Sequence, residues 1–220
     1  MAERNEFRET LLEFFFPTRC CFCRRLTGKN MPVCKACAAR YPDRTGAQAE
    51  RSLTASLRCF SPLRYEGEAR RALLRFKFGG LRGYAPAFAR LMRQTLAGSA
   101  VTADCVVWVP LSAKRLRERG YDQARLLAEA LARGMQLPCE PLLSKTRHTR
   151  AQSGLHSREQ RRANAAGAYC VPAPDRAAGR RLLLVDDIVT SGATLEECAR
   201  MLRRAGAKSV TAVTAASRDG

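Results

Sequence analysis

Leu182-Leu183-Leu184-Val185-Asp186-Asp187-Ile188-Val189-Thr190-Ser191-Gly192-Ala193-Thr194 is the stretch whose reading decides the fold. An unbroken apolar run ends in two acids. A loop of small hydroxyl residues follows and opens a helix with Leu195, Cys198, Ala199 and Leu202 on one stripe, stopped at Gly206. A short continuous apolar run suits a strand buried on both faces, as in a parallel sheet. The carboxyl ends of such strands are where open α/β sheets bind ligands. Thr190, Ser191, Gly192, Ala193 and Thr194 then form an anion cradle, because N–H groups and small hydroxyls converge at a helix N-terminus whose dipole favours phosphate. Gly192 permits close backbone approach. Asp186 and Asp187 cannot both face that phosphate, and they are suited to accept hydrogen bonds from sugar hydroxyls beside it. The chain has neither a Gly-Lys-Ser/Thr loop nor a G-x-G-x-x-G turn here, which excludes the Walker and dinucleotide readings of this segment. A phosphorylated ribose is the expected ligand; the plainer alternative is an acidic strand end followed by a helix cap.

Outward from this segment the same alternation continues. Cys105–Pro110 reads as a second buried strand, Ser209–Val213 as a third, and Leu57–Tyr65 as a further strand. Glu68–Phe78, Ala85–Leu96 and Tyr121–Arg133 carry apolar residues at helical spacing. Residues 144–165 are poor in apolar and rich in basic side chains and read as a mobile loop leading into a helix. Residues 41–52 are polar and read as a linker. Residues 7–16 place Phe7, Leu11, Phe14 and Phe15 on one side of a short helix ending at Pro17. Alternating strands and helices imply an α/β fold, a parallel sheet covered by helices on both faces. The expected division is an N-terminal helix and cysteine module over residues 1–50 and the α/β domain over 51–220.

The cysteines are distributed unevenly. Of ten, four fall as Cys20-x-x-Cys23 and Cys34-x-x-Cys37, while others lie inside apolar runs around Cys105 and Cys170. Two such knuckles present four thiolates to one ion, the set a structural zinc takes. The other readings are a redox dithiol or buried thiols. A redox Cys-x-x-Cys would normally open a helix in a thioredoxin-like βαβ setting, and none is written here. A module this small has almost no core of its own, so the metal would carry its fold.

The formal net charge is +19, from 39 basic against 20 acidic side chains. Such a surface attracts polyanions through counterion release; the plainer reading is a generally basic, solvated surface. Aromatics are sparse outside Phe14–Phe16, Phe76 and Phe78, so no wide base-stacking platform is written in the sequence. No apolar run approaches the length of a transmembrane helix, and Glu3, Glu6, Glu9 and Glu13 interrupt the N-terminus where a signal peptide would be basic and then apolar. A cytoplasmic protein is expected, at most peripheral to the inner membrane.

The loop after Val185 resembles the phosphoribosyl-diphosphate signature of type I phosphoribosyltransferases. With the four-cysteine module, Phe76-Lys77-Phe78-Gly79-Gly80, Val109-Pro110-Leu111, Arg119-Gly120-Tyr121-Asp122-Gln123-Ala124 and Thr149-Arg150-Ala151-Gln152-Ser153-Gly154-Leu155, nearly the whole chain resembles the ComF competence family. The resemblance implies that Asp186 and Asp187 hold the ribose hydroxyls and that Thr190–Thr194 wrap the 5-phosphate. It implies that the turn Pro110–Arg115, with Lys114 and Arg115, faces the diphosphate, and that the basic 146–162 segment closes over the site. It further implies magnesium with phosphoribosyl diphosphate, structural zinc on Cys20, Cys23, Cys34 and Cys37, and a role in DNA uptake. Single-stranded DNA, and uptake proteins such as a helicase, are the implied partners.

Phosphoribosyl transfer needs no protein nucleophile; it needs charge stabilisation on the departing diphosphate and exclusion of water. His148 and His156, both in the basic segment, are better read as solvated loop residues than as catalysts. Three readings follow: a DNA-uptake factor with a ribose-phosphate pocket, a metabolic phosphoribosyltransferase acting on a base or amine, and a phosphoribosyl-diphosphate sensor without turnover.

Overall fold

The computed structural model describes residues 17–28, 31–146 and 158–218. The helix read over residues 7–16, both histidines and most of the basic loop lie outside them.

The elements run α1 (Lys35–Arg40), β1 (Glu50–Thr54), β2 (Leu57–Phe60), β3 (Leu63–Arg64), α2 (Gly67–Phe78), α3 (Ala85–Ala97) and β4 (Cys105–Trp108). Then come α4 (Ala113–Arg119), α5 (Gln123–Met135), β5 (Ser144–Lys145), α6 (Arg158–Ala165), β6 (Tyr169–Cys170), β7 (Arg181–Val189), α7 (Ala193–Arg204) and β8 (Ser209–Ser217). The main sheet has the order β1-β2-β8-β7-β4, with β3 also on β8. Every pairing in it is parallel except β1 with β2, which makes an antiparallel edge. β5 and β6 form a separate two-stranded ladder.

Alternation along β7 divides the core between the two faces of the sheet. Leu183 and Val185 belong to a cluster with Leu73 and Phe76 of α2, Phe88 and Met92 of α3, and Leu127 and Leu131 of α5. Leu182 and Leu184 belong to the other cluster, with Leu195, Cys198 and Leu202 of α7 and with Leu142 and Tyr169. Helices therefore cover both faces, as expected. The two-residue steps of β7 explain why its apolar run is unbroken: each face has its own helix layer to satisfy.

Three local expectations need correction. The span read as one strand, Leu57–Tyr65, is broken into β2 and β3 at Ser61-Pro62, because proline cannot donate to a ladder. The polar segment read as a linker holds a short 3₁₀ turn, Gly46–Ala49, and the first residues of β1. The turn after β4 goes straight into a helix, α4, whose N-cap Ser112 accepts from Arg115 N.

β1 braces the cradle loop. Arg51 Nη1 donates to the carbonyl of Thr190 at 2.8 Å. Gly192 caps α7 at φ +83°, and a Cβ built there would meet Leu53 Cδ2 of β1 at 2.8 Å. Only glycine satisfies both the left-handed backbone and the close approach. Gly192→Ala should accordingly destabilise the protein by about 1–2 kcal/mol, lowering the melting temperature by roughly 2–8 °C. A thermal melt unchanged from wild type would show that the loop does not need this conformation.

Candidate functional site

The crevice exists because β7 outruns its neighbour. Pairing of β4 with β7 ends at Trp108 and Val185, whereas β7 continues to Val189. At that step Val109 N donates to Val185 O at 3.0 Å and the chain turns away through Pro110 and Leu111. Asp122, the N-cap of α5, fixes the turn: its two carboxylate oxygens accept from Leu111 N at 3.0 Å and Arg125 N at 3.2 Å. Burial pushes the Asp122 carboxyl above its usual range. The result is an open cavity of about 980 Å³ over the carboxyl ends of β4 and β7.

Both acids of β7 reach that cavity, from opposite sides of the strand. Asp187 turns towards α2, where Lys77 Nζ lies 2.6 Å from its Oδ2. Asp186 turns towards α7 and Tyr169. Burial, reinforced by the charge on Asp187, pushes the Asp186 carboxyl up to about 8, with Lys77 opposing. Its Oδ1 accepts from Asp187 N at 2.8 Å. Burial and the neighbouring charge thus disfavour ionisation of Asp186, while Asp187 has the Lys77 ammonium beside it.

Lys77 is in position because α2 buries Ala69, Ala72, Leu73 and Phe76. That stripe leaves the last turn, Lys77 and Phe78, over the crevice, where positive charge also suits the helix C-terminus. Gln123 Nε2 donates to Lys77 O at 3.2 Å and Gln123 Oε1 accepts from Arg119 Nη1 at 2.9 Å. Burial pushes the Arg119 guanidinium below its usual range, opposed by the charge on Asp187.

The expected residues are distributed as follows. Asp186, Asp187, Thr190, Thr194 and Arg115 line the cavity. Ser191, Gly192 and Ala193 are buried in the cradle, with Ser191 Oγ 3.5 Å from Ala193 N. Lys114 is exposed and stands outside the cavity wall. Sequence reasoning assigned no site role to Lys77, Arg119, Lys145 or Tyr169, all of which line the cavity; Arg161, from the basic segment expected to close over the site, lines it too. Lys77 and Arg119 sit inside segments already marked by their resemblance; Lys145 and Tyr169 are brought in by the β5–β6 ladder, which has too few residues to show a period.

The four cysteines converge. The Sγ atoms of Cys20, Cys23, Cys34 and Cys37 lie within 4.8 Å of one another, and Cys23 and Cys34 are 3.6 Å apart. Sulfurs at the corners of a tetrahedron with 2.3 Å metal bonds are separated by about 3.8 Å, so the set is compatible with a structural metal such as zinc. The first pair rides a tight hairpin closed by the Arg19–Leu26 bridge, with Arg24 at φ +67°. The second comes from the N-cap and first turn of α1. Burial opposes ionisation of Cys20, but surrounding backbone N–H groups outweigh it and lower the thiol to about 7, whereas Cys37, by burial, and Cys23 are raised. Cys21 points elsewhere; burial pushes its thiol up to about 12.

The Phosphoribosyl transferase domain family matches residues 122–220. Competence protein F of Haemophilus influenzae is 34% identical over 109 residues, 49% of this chain and 47% of that protein. Competence protein ComFC of Bacillus subtilis is 33% identical over 156 residues, 68% of this chain and 60% of that protein. DNA utilization protein YhgH of Salmonella typhimurium is 28% identical over 199 residues, 87% of this chain and 86% of that protein. The alignments with the first of these relatives span about half their length.

Two outcomes test the site. With the Asp186 carboxyl raised to about 8, the folded protein should retain there a proton that the unfolded chain releases near pH 4, so stability should fall as pH rises through that window, by up to about 1.4 kcal/mol per pH unit. Asp186→Asn should flatten that slope in denaturant titrations across pH; an unchanged slope would place the titrating group elsewhere. Metal analysis should find one equivalent of zinc per chain, and Cys34→Ser should lose it together with several degrees of melting temperature. Metal retained at full stoichiometry by that variant would remove Cys34 from the ligand set.

Proposed function

We propose that this chain is a ComF-like DNA-uptake protein whose crevice binds phosphoribosyl diphosphate with magnesium and whose basic surface binds single-stranded DNA. The observation that carries the reading is the pairing of acids with an anion-binding helix start at one cavity. Asp186 and Asp187 would hold the ribose hydroxyls, one from each side of β7. Thr190 on the cradle loop and Thr194 in the first turn of α7, on either side of the cap Gly192, would bind the 5-phosphate, at a helix whose first N–H groups have no intrahelical acceptor. Arg115, together with Lys77 and Arg119, would face the diphosphate.

Magnesium fits as a passenger of the ligand. It is usually held by one or two carboxylates and substrate phosphates, and the crevice offers carboxyls beside cations. When bound it would neutralise charge on the diphosphate. Structural zinc on Cys20, Cys23, Cys34 and Cys37 completes the reading. Among the described residues no helix is long and apolar enough to cross a membrane; a cytoplasmic place for the protein is part of the proposal. A helicase or another uptake protein would meet it there.

Calorimetry on the metal-loaded full chain tests the proposal. Phosphoribosyl diphosphate should bind in the presence of magnesium and lose at least tenfold in affinity when Asp186 and Asp187 are both changed to Asn. Oligo-dT affinity should fall steeply with salt, with a slope of about −0.7 for each phosphate contacted. No heat with the sugar diphosphate, or a flat salt response, would count against the respective half of the reading.

A further inference from the structure

Phe78 is 65% exposed, an unusual place for a phenyl ring, and it lines the crevice rather than the outer surface. Its position is fixed. It is the last residue of α2, followed by the cap Gly79, whose N–H donates to Arg75 O at 2.7 Å. A Cβ on Gly79 would stand 2.7 Å from that same oxygen, so the chain leaves the helix along one tight path. One side of the ring is occupied: the Arg119 guanidinium carbon lies 5.0 Å from its centroid. Arg119 is itself held by Gln123, which is tied to the carbonyl of Lys77. The platform is thus pre-ordered by the residues that place the cation of Asp187.

A second aromatic–arginine pair stands at the same cavity. Arg70 lies 5.9 Å from the centroid of Tyr65, and both residues line the crevice. Along this wall cations outnumber carboxyls. An exposed ring with a cation behind it, set among further cations, is how proteins hold unpaired nucleobases: the base stacks on the ring while the cations follow the phosphates.

We propose that Phe78, backed by Arg119, is a stacking platform for one unpaired base of a single-stranded DNA at the mouth of the crevice, beside the Lys77–Asp187 pair. This rests on the DNA-binding reading and deepens it: the strand meets the ribose-phosphate site instead of a distant basic face. The sequence alone did not show it, because Tyr65, Phe78 and Arg119 are scattered and become neighbours only through the cavity.

The test compares oligo-dT with an oligomer of the same length and backbone lacking its bases, using fluorescence anisotropy on the metal-loaded full chain. Free thymine at millimolar concentration is a third arm. The wild-type protein should prefer oligo-dT over the baseless strand by about 5- to 100-fold, the range of one base stack. Phe78→Ala should erase that preference while keeping the salt slope, and Phe78→Trp should retain it; Phe78 is exposed enough for both variants to fold, which their melts will verify. Equal affinity of the wild type for both strands, or an unaltered preference in Phe78→Ala, overturns the platform while leaving DNA binding standing. Binding of neither strand removes the DNA reading and the platform with it. Phe78-dependent binding of free thymine without any preference between the strands overturns the strand as its ligand.

Discussion

Two carboxyl groups in succession at the end of a buried strand cannot both carry an uncompensated charge out of water. Desolvation of a lone ion costs several kcal/mol. In this protein the problem is resolved twice over. Lys77, at the end of α2, places its ammonium 2.6 Å from Asp187, and burial with the charge on Asp187 raises the Asp186 carboxyl well above its usual range. The strand sends the two groups to opposite faces, so each solution belongs to a different helix layer. Breaking the ion pair from one side would leave a partly buried charge alone, which is far costlier than the pair is stabilising.

The same arrangement prepares the crevice for a ligand that brings both hydroxyls and negative charge. Carboxyl groups of which one resists ionisation and the other has a cation beside it can accept from sugar hydroxyls without a large field repelling the phosphates. The stagger between β4 and β7 supplies the opening, Asp122 fixes its near edge, and β1 fixes the cradle loop opposite. None of these supports is itself placed to touch a ligand. They determine whether side chains on the loops stand where the strand ends aim them.

How much of this was legible in the sequence varies with the length of the signal. β7, β8, β4 and the helices α2, α3, α5 and α7 are long or strongly periodic, and their burial on a parallel sheet leaves continuous apolar runs that can be read directly. The cysteine spacing was legible for the same reason: two knuckles need only local geometry to bring four sulfurs together. The short elements were not. β1 looks like a polar linker because, as an edge strand, it buries only Leu53; its arginine is there to hold Thr190 O, a contact 139 residues away in sequence. Lys114 and Arg115 are indistinguishable in sequence, and only the helical turn of α4 puts Arg115 on the cavity wall and Lys114 in solvent. Lys77 and Phe78 had no local pattern that could separate their inward aim from that of any basic or aromatic residue at a helix end.

The cysteine module also has a structural reason to lie where it does. Its Phe22 is fully buried, stacked on Tyr41 with ring centroids 4.1 Å apart and edge-on to Phe88 of α3 at 6.1 Å. Arg75 of α2 reaches back to it, donating through Nη2 to the carbonyls of Cys21 and Phe22 at 2.8 Å each. These oxygens belong to the same hairpin that presents Cys20 and Cys23. The hairpin is held by its own backbone bonds, Cys20 N to Arg25 O at 2.9 Å and Arg24 N to Cys20 O at 3.0 Å, and by the burial of Phe22 in the main core. Arg75 precedes Lys77 by half a turn on the same helix. The module therefore braces the C-terminal turn of α2 from behind, while Asp187, Gln123 and Arg119 fix it from the crevice side.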